Sequence, residues 1–378
     1  MSELVRVAQV MGKMAGGGVE SVVMNYYRHV DHGIVQFDFI VDDDSLLVPR
    51  DEIECLGGRV LEVPSLSRGV HGYKKALRSL LEQEGWLIVH SHVNALSVFP
   101  LGVAKRCGVP VRIAHSHSAS GKGEYLKNAV KAILKTQSNR YPTHRFACSD
   151  HAGTWLFGSE ADFAVMPNAI ELDDFAFDDG VRAEVRHELD IDADVKIVGH
   201  VGRFMPQKNH VYLLNVFSDL VKRRSDVVLL LVGDGELKCS VEEKASDLGL
   251  RDKVRFLGQR SDMERIYQAF DLFLLPSLYE GLGLVGIEAQ RAGLPCIFSS
   301  EVPHEVALTR RCRFIDIGDD DVSVWVDAAD EALGRDRSLS DIEAFARYEI
   351  KAAAKKLTAF YSAIELKELD EVQSQIIL

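Results

Sequence analysis

The stretch DLFLLPSLYEGLGLVGIEAQRAGLPCIFS, Asp271 to Ser299, decides the fold. It opens on one apolar run, DLFLLPS, and closes on another, LPCIFS. Runs of this kind suit parallel strands buried on both faces. Between them Ser277 to Glu280 form a loop, Gly281 and Gly283 keep the backbone bare, and a helix begins at Leu284. Strand, crossover helix and strand make one βαβ unit. Two glutamates, Glu280 and Glu288, bracket seven small or aliphatic residues. The plain reading is a helix start carrying two surface glutamates. The functional reading is a ligand lying along the turn. Backbone amides of Leu282, Gly283, Leu284 and Val285 then point at a phosphate, while Glu280 and Glu288 accept from hydroxyls at its two ends.

The same alternation runs outward in both directions. VKIVGHVG, VVLLLVG and VRFLG are further strands of the second half. In the first half VRVAQV (5–10), FDFIV (37–41), RVLEV (59–63), WLIVH (86–90) and VRIAH (111–115) read as strands. Val19, Val22, Val23, Tyr26, Tyr27 and Val30 form a helical stripe, as do Tyr73, Ala76, Leu77, Leu80 and Leu81. The acidic, turn-rich ELDDFAFDDG (171–180) reads as a linker. The expectation is α/β: two Rossmann-like doubly wound domains, residues 1–172 and 173–345, facing each other across a cleft. A helical segment, 346–378, returns to the first. Ligands of such sheets sit beyond the carboxyl ends of the strands.

The net charge of −13 over 378 residues argues against nucleic-acid binding, which needs a basic footprint. The charge is uneven, −2 up to Phe175 and −11 beyond it. Six scattered cysteines without a CxxC, and no histidines at metal-binding spacing along the chain, fit a reduced cytoplasmic setting and no metal. No signal-peptide pattern opens the chain, and no apolar run could span a bilayer. One stretch inverts the charge. Residues 121–145 carry +5, with Lys127, Lys131 and Lys135 on one helical face and apolar residues on the other. Such a helix suits an anionic membrane surface or, equally, a solvated face over a packed side.

Three more loops carry candidate chemistry. MGKMAGGGVES (11–21) follows the first strand, and Gly16 and Gly17 could bring amides to a phosphate. Its spacing is not GxGxxG, which disfavours a nicotinamide cofactor. HVGRFMPQKNH (200–210) places Arg203 and Lys208 after a strand and before a helix, a pair suited to a diphosphate. RIAHSHS (112–118) puts His115 and His117 at a strand end, with His90 and His92 at another.

These motifs together resemble glycosyltransferase family 4, retaining enzymes of the GT-B fold. EGLGLVGIE is similar to the family's E-x7-E motif and GRFMPQK to its Arg-x4-Lys diphosphate loop. The glycine-rich first loop and PNAI (167–170) extend the likeness over nearly the whole chain. GGGVESVVMNYYRHVD, RIAHSHS and EGLGLVGIEAQ resemble bacterial exopolysaccharide and capsule enzymes. The resemblance implies that Arg203 and Lys208 bind the diphosphate of a UDP-sugar, that Glu288 binds its ribose and that Glu280 binds its sugar. Gly17 approaches the phosphate, Arg260 in LGQRSDM contacts the base, and His115 hydrogen-bonds the sugar or places the acceptor. A metal-independent hexosyl or N-acetylhexosaminyl transfer to a polyprenyl-diphosphate-linked saccharide follows, at the inner face of the membrane. One departure is Leu282, beside the sugar, where the family often has Phe. A UDP-sugar 2-epimerase of the same fold and a non-catalytic nucleotide-sugar-binding subunit are the competing readings.

Overall fold

The computed structural model describes residues 4–117, 133–335, 337 and 342–365. The chain divides into two compact units, 1–170 with 347–378, and 171–346.

The first unit is built on a seven-stranded sheet of order β3-β2-β1-β4-β5-β6-β7. Its strands are β1 (Val5–Gly12), β2 (Val35–Asp42), β3 (Arg59–Val63), β4 (Ile88–Ser91), β5 (Val111–Ser116), β6 (His144–Ala147) and β7 (Ala164–Val165). All neighbours pair in parallel, so each crossover must pass over a face and bury it. The stripe through Tyr26 and Tyr27 forms the helix Gly18–His29, and the stripe through Tyr73 forms Val70–Glu84. Tyr27 stacks on Phe37 of β2 with ring centroids 5.0 Å apart. The helix Ile350–Glu365 belongs to this unit. Its Thr358 hydroxyl accepts from the Asp31 amide, and Phe360 packs on Phe146.

The second unit carries a six-stranded parallel sheet of order β10-β9-β8-β11-β12-β13. Its strands are β8 (Lys196–Val201), β9 (Val227–Val232), β10 (Val254–Gly258), β11 (Leu272–Leu275), β12 (Cys296–Ser299) and β13 (Cys312–Ile315). β9, β11 and β12 are buried along their whole length, as continuous apolar runs require. The linker is shorter than its composition suggests. The Asp178 carboxylate accepts from the Val181 amide and starts the helix Asp179–Glu188 inside the acidic run. Arg182 of that helix donates to the carbonyls of Gln268, Ala269 and Phe270, and Arg337 donates to Tyr267 O at 2.7 Å. Together they saturate the carboxyl end of the helix Met263–Ala269.

One polar cluster pins the edge of the first sheet. The fully buried Asp38 carboxylate on β2 accepts from Arg6 at 2.9 and 2.5 Å, from Arg59 at 2.9 and 2.6 Å, and from Trp86 Nε1 at 2.7 Å. Burial opposes its charge, but the Arg59, Arg6 and Trp86 hydrogen bonds win and hold it down at about 2. A depressed carboxyl stabilises the fold above its unfolded value near 3.8, and that contribution fades as pH falls through about 2. Asp38→Asn should cost about 3 kcal/mol at pH 7, as breaking a buried pair does. The gap from wild type should narrow toward pH 2 in thermal unfolding followed by circular dichroism. A gap independent of pH would show that the carboxylate charge is not the source.

Candidate functional site in the second unit and a histidine cluster in the first

β8 and β11 are adjacent and parallel, so the loops after them emerge side by side. Residues 206–208 form one 3-10 turn after β8, and Asn209 takes a left-handed φ of 53° before the helix His210–Arg223. After β11, Gly283 adopts φ 87°, a conformation that favours glycine, and the helix Leu284–Arg291 follows. The helix starts where the sequence places it. Its first amides have no intrahelical acceptor, except that the Gly286 amide turns back on Gly283 O at 2.8 Å.

The two loops are tied together. The Leu278 amide donates to Gln207 O at 2.8 Å, and Gln207 Nε2 donates to Tyr279 O at 2.9 Å and to Glu280 Oε2 at 3.2 Å. Lys208 Nζ reaches Glu280 Oε1 at 2.7 Å, and Ser277 Oγ donates to the same oxygen at 2.7 Å. The Lys208 and Glu280 side chains keep only 14% and 8% of their exposure. Glu280 is therefore no surface glutamate. It is a nearly buried carboxylate with three donors. Arg203 is exposed and has no side-chain partner among the described residues.

Glu288 lies on the helix and accepts from Tyr267 Oη at 2.7 Å. Tyr267 also donates to Val285 O at 3.2 Å. Burial pushes the Glu288 carboxyl up to about 7, against the pull of the Tyr267 hydrogen bond and the Lys208 charge. It titrates in the neutral range while retaining partial access to solvent. Gly281, Leu282 and Gly283 are buried, and Leu284 and Val285 half-buried. Arg260 is held by Asp262 through two hydrogen bonds of 2.8 and 2.6 Å.

Behind the Arg203 loop stands a turn the sequence analysis did not single out, VGDGEL (232–237). Asp234 O accepts from the Phe204 amide at 2.9 Å, and Phe204 O accepts from Leu237 at 3.0 Å. Gly233 has φ 137°, and a Cβ there would stand 2.2 Å from Gly202 O. The signal was the pair of glycines just past a strand. Gly233→Ala should push residues 202–204 out of place at about 1–3 kcal/mol, as overpacking does. The expected result is a fall in Tm. An unaltered Tm would mean that this turn does not set the loop.

In the first unit Gly16 has φ 77° and Gly17 precedes the helix Gly18–His29. The Glu20 carboxylate accepts from the amides of Ala15, at 2.9 Å, and Gly17. It thus occupies two donors that the glycine-rich loop would otherwise present. Lys127 and Lys131 lie outside the described residues. Lys135 places its Nζ 5.3 Å from the centre of the Trp155 ring. Among the described residues no helix is long and apolar enough to cross a membrane.

His115 is buried, not alone. β4 and β5 bring His90, His92, His115 and His117 into one stack, His90 on His92 at 4.2 Å and His115 on His117 at 3.9 Å between ring centroids. His90, His92 and His115 each offer a ring nitrogen within 4.8 Å of the others, as a metal triad would. Spacing along the chain hid this set, because two strands supply it. Burial holds all four imidazoles neutral, His117 down at about 3.

A sequence profile described as "Glycosyl transferases group 1" matches residues 181–310, which hold Arg203, Lys208, Glu280 and Glu288. The chain is 35% identical over 344 residues to the "Putative glycosyltransferase EpsF" of Bacillus subtilis (strain 168), covering 88% of each. It is 30% identical over 257 residues to the Escherichia coli "UDP-Gal:alpha-D-GlcNAc-diphosphoundecaprenol alpha-1,3-galactosyltransferase", 64% of this chain and 66% of that one. Among solved structures, Anabaena Alr3699/HepE in complex with UDP shares the fold with a TM-score of 0.72 at 16% identity, over 96% of this chain and 100% of the other. WaaG, a glycosyltransferase involved in lipopolysaccharide biosynthesis, does so with a TM-score of 0.66 at 16% identity, over 97% and 99%. Two parallel Rossmann-like sheets with these likenesses make the fold GT-B, and the chain belongs to the group 1 glycosyl transferases.

Proposed function

We propose that the protein is a retaining glycosyltransferase that moves a hexose or N-acetylhexosamine from a UDP-sugar to a polyprenyl-diphosphate-linked saccharide during exopolysaccharide or capsule synthesis, at the cytoplasmic face of the membrane. One observation carries the reading: Lys208 and Glu280, from loops at the carboxyl ends of adjacent strands, meet in one nearly buried pair beside a helix N-terminus. A cation, a carboxylate and free amides side by side suit a molecule with a diphosphate next to hydroxyls. The UDP in the HepE structures and the undecaprenol-linked acceptor in the E. coli relative's name support the choice of donor and acceptor class.

In this reading Arg203, Lys208 and the amides of residues 282–285 hold the diphosphate. Glu280 holds the sugar, Glu288 the ribose and Arg260 the base. His115 of the first unit contributes to a sugar, and the Gly17 amide, already taken by Glu20, is left out of the phosphate contacts. As the bond from the anomeric carbon to the phosphate oxygen breaks, the acceptor oxygen bonds to that carbon on the same face. The acceptor's proton passes to the departing phosphate, and UDP leaves. Arg203, Lys208 and the helix amides stabilise the charge growing on it, so the reading needs no metal. Lys127, Lys131 and Lys135 are assigned to the anionic lipid surface.

The two glutamates should fail differently. Glu288→Gln should weaken bare UDP ten- to a hundredfold, the equivalent of about 1.5–3 kcal/mol for a hydrogen bond to a charged group. Glu280→Gln should leave UDP binding nearly unchanged and reduce turnover of the UDP-sugar. UDP affinity should also rise from pH 6 to 8 as Glu288 ionises, and that part of the pH dependence should vanish in Glu288→Gln. Calorimetry with UDP and initial rates on the full donor test this. Equal losses of UDP affinity in both variants would refute the division of roles.

A further inference from the structure

The four buried histidines do more than fill space. Six of their eight ring nitrogens are engaged in one continuous path of hydrogen bonds. His115 Nδ1 meets His90 Nε2 at 3.1 Å, and His90 Nδ1 meets Tyr361 Oη at 2.6 Å. Gln9 Nε2 donates to Tyr361 Oη at 3.3 Å, and Gln9 Oε1 meets His92 Nε2 at 2.8 Å. His92 Nδ1 then meets His117 Nε2 at 2.9 Å. Only His115 Nε2 and His117 Nδ1 are left, both buried and without a partner among the described residues.

Direction can be followed along this path, because a neutral imidazole has one donor and one acceptor. The Gln9 amide donates to the Tyr361 oxygen, so the Tyr361 hydroxyl donates to His90 Nδ1. His90 must then carry its proton on Nε2 and donate to His115 Nδ1, which leaves His115 with an Nε2–H. On the other arm the Gln9 carbonyl accepts from His92 Nε2–H. His92 Nδ1 must accept from His117 Nε2–H, which leaves His117 Nδ1 bare. All four rings share the Nε2–H tautomer. Turning the Gln9 amide over reverses every bond and gives all four the Nδ1–H tautomer. In either state the two free nitrogens have opposite polarity.

We propose that Gln9 and Tyr361 are positioning residues that force the four imidazoles into one common tautomer, so that His115 Nε2 and His117 Nδ1 present one donor and one acceptor to two hydroxyls of the acceptor saccharide. One donor and one acceptor nitrogen on two stacked rings suit two hydroxyls of one sugar, one accepting and one donating. The residues stand at and just past the carboxyl end of β5, where ligands of such sheets bind. Gln9, His90, His92, His115 and Tyr361 are all at most 3% exposed, and His117 7%, so water does not compete for the path. The assignment of the sugar rests on the proposed function; the tautomer lock does not.

Nitrogen-15 NMR of the full-length protein labelled at histidine tests both parts. In the wild type the four rings should be neutral at pH 7 and share one tautomer. Adding an N-acetylglucosaminyl diphosphate with a short alkyl chain should move His115 Nε2 and His117 Nδ1 more than the six engaged nitrogens. Tyr361→Phe should uncouple the two arms, so that His90 and His115 no longer share the tautomer of His92 and His117. Its UDP affinity should match wild type and its transfer rate should fall about three- to tenfold, the value of one hydrogen bond. Mixed tautomers in the wild type would overturn the proposal, as would a tightly retained equivalent of transition metal or unchanged tautomers in Tyr361→Phe. A wild type with correct tautomers but no turnover of UDP-sugars would instead count against the proposed function alone.

Discussion

The pair between Lys208 and Glu280 is the contact on which the second unit's loops depend. A nearly buried ion pair contributes little net stability, since desolvation offsets most of the attraction. What it supplies is position. Glu280 Oε1 takes two donors and Oε2 a third, so the carboxylate has little freedom to turn. Lys208 spends one of its three hydrogens on Glu280, and two remain for an arriving anion. The loops are thus already joined before any ligand binds, which is the condition for electrostatic stabilisation without reorganisation.

The rest of that unit keeps this arrangement rigid. Glycines at 233 and 235 allow the turn after β9 to press on the Arg203 loop from behind. Arg182 and Arg337 saturate the end of the helix that carries Tyr267, and Tyr267 in turn orients Glu288. The carboxyl that Tyr267 holds is close to half-ionised at neutral pH, whereas a solvent-exposed glutamate would be fully charged. The first unit solves a similar problem without charge. Its histidines are kept neutral by burial, and their hydrogen bonds rather than ion pairs fix their orientation.

Much of the fold was legible because parallel strands buried on both faces are written as unbroken apolar runs, as in VVLLLV and LFLL. β6 and β13 were not read, since HRFA and CRFI carry His144, Arg145 and Arg313 in four-residue strands. Lys208 and Glu280 were each visible as candidates, but their contact spans 72 residues and depends on β8 lying beside β11. The histidine cluster left a trace in the repeated HSH at 90–92 and 115–117, where alternate residues of a strand share a face. Its closure did not, because Gln9 and Tyr361 are 352 residues apart. The capture of the Ala15 and Gly17 amides by Glu20 followed only from the turn geometry.

The most direct measurement is the difference in affinity between UDP and UMP, by calorimetry, in wild type, Lys208→Met and Lys208→Met combined with Glu280→Gln. The account predicts that wild type prefers UDP and that Lys208→Met loses at least tenfold of that preference, one charged hydrogen bond. The double variant, in which no carboxylate is left unpaired, should bind UDP better than the single one and still lack the full preference. A Lys208→Met protein that distinguishes UDP from UMP as well as wild type does would contradict the assignment of this pair to the diphosphate.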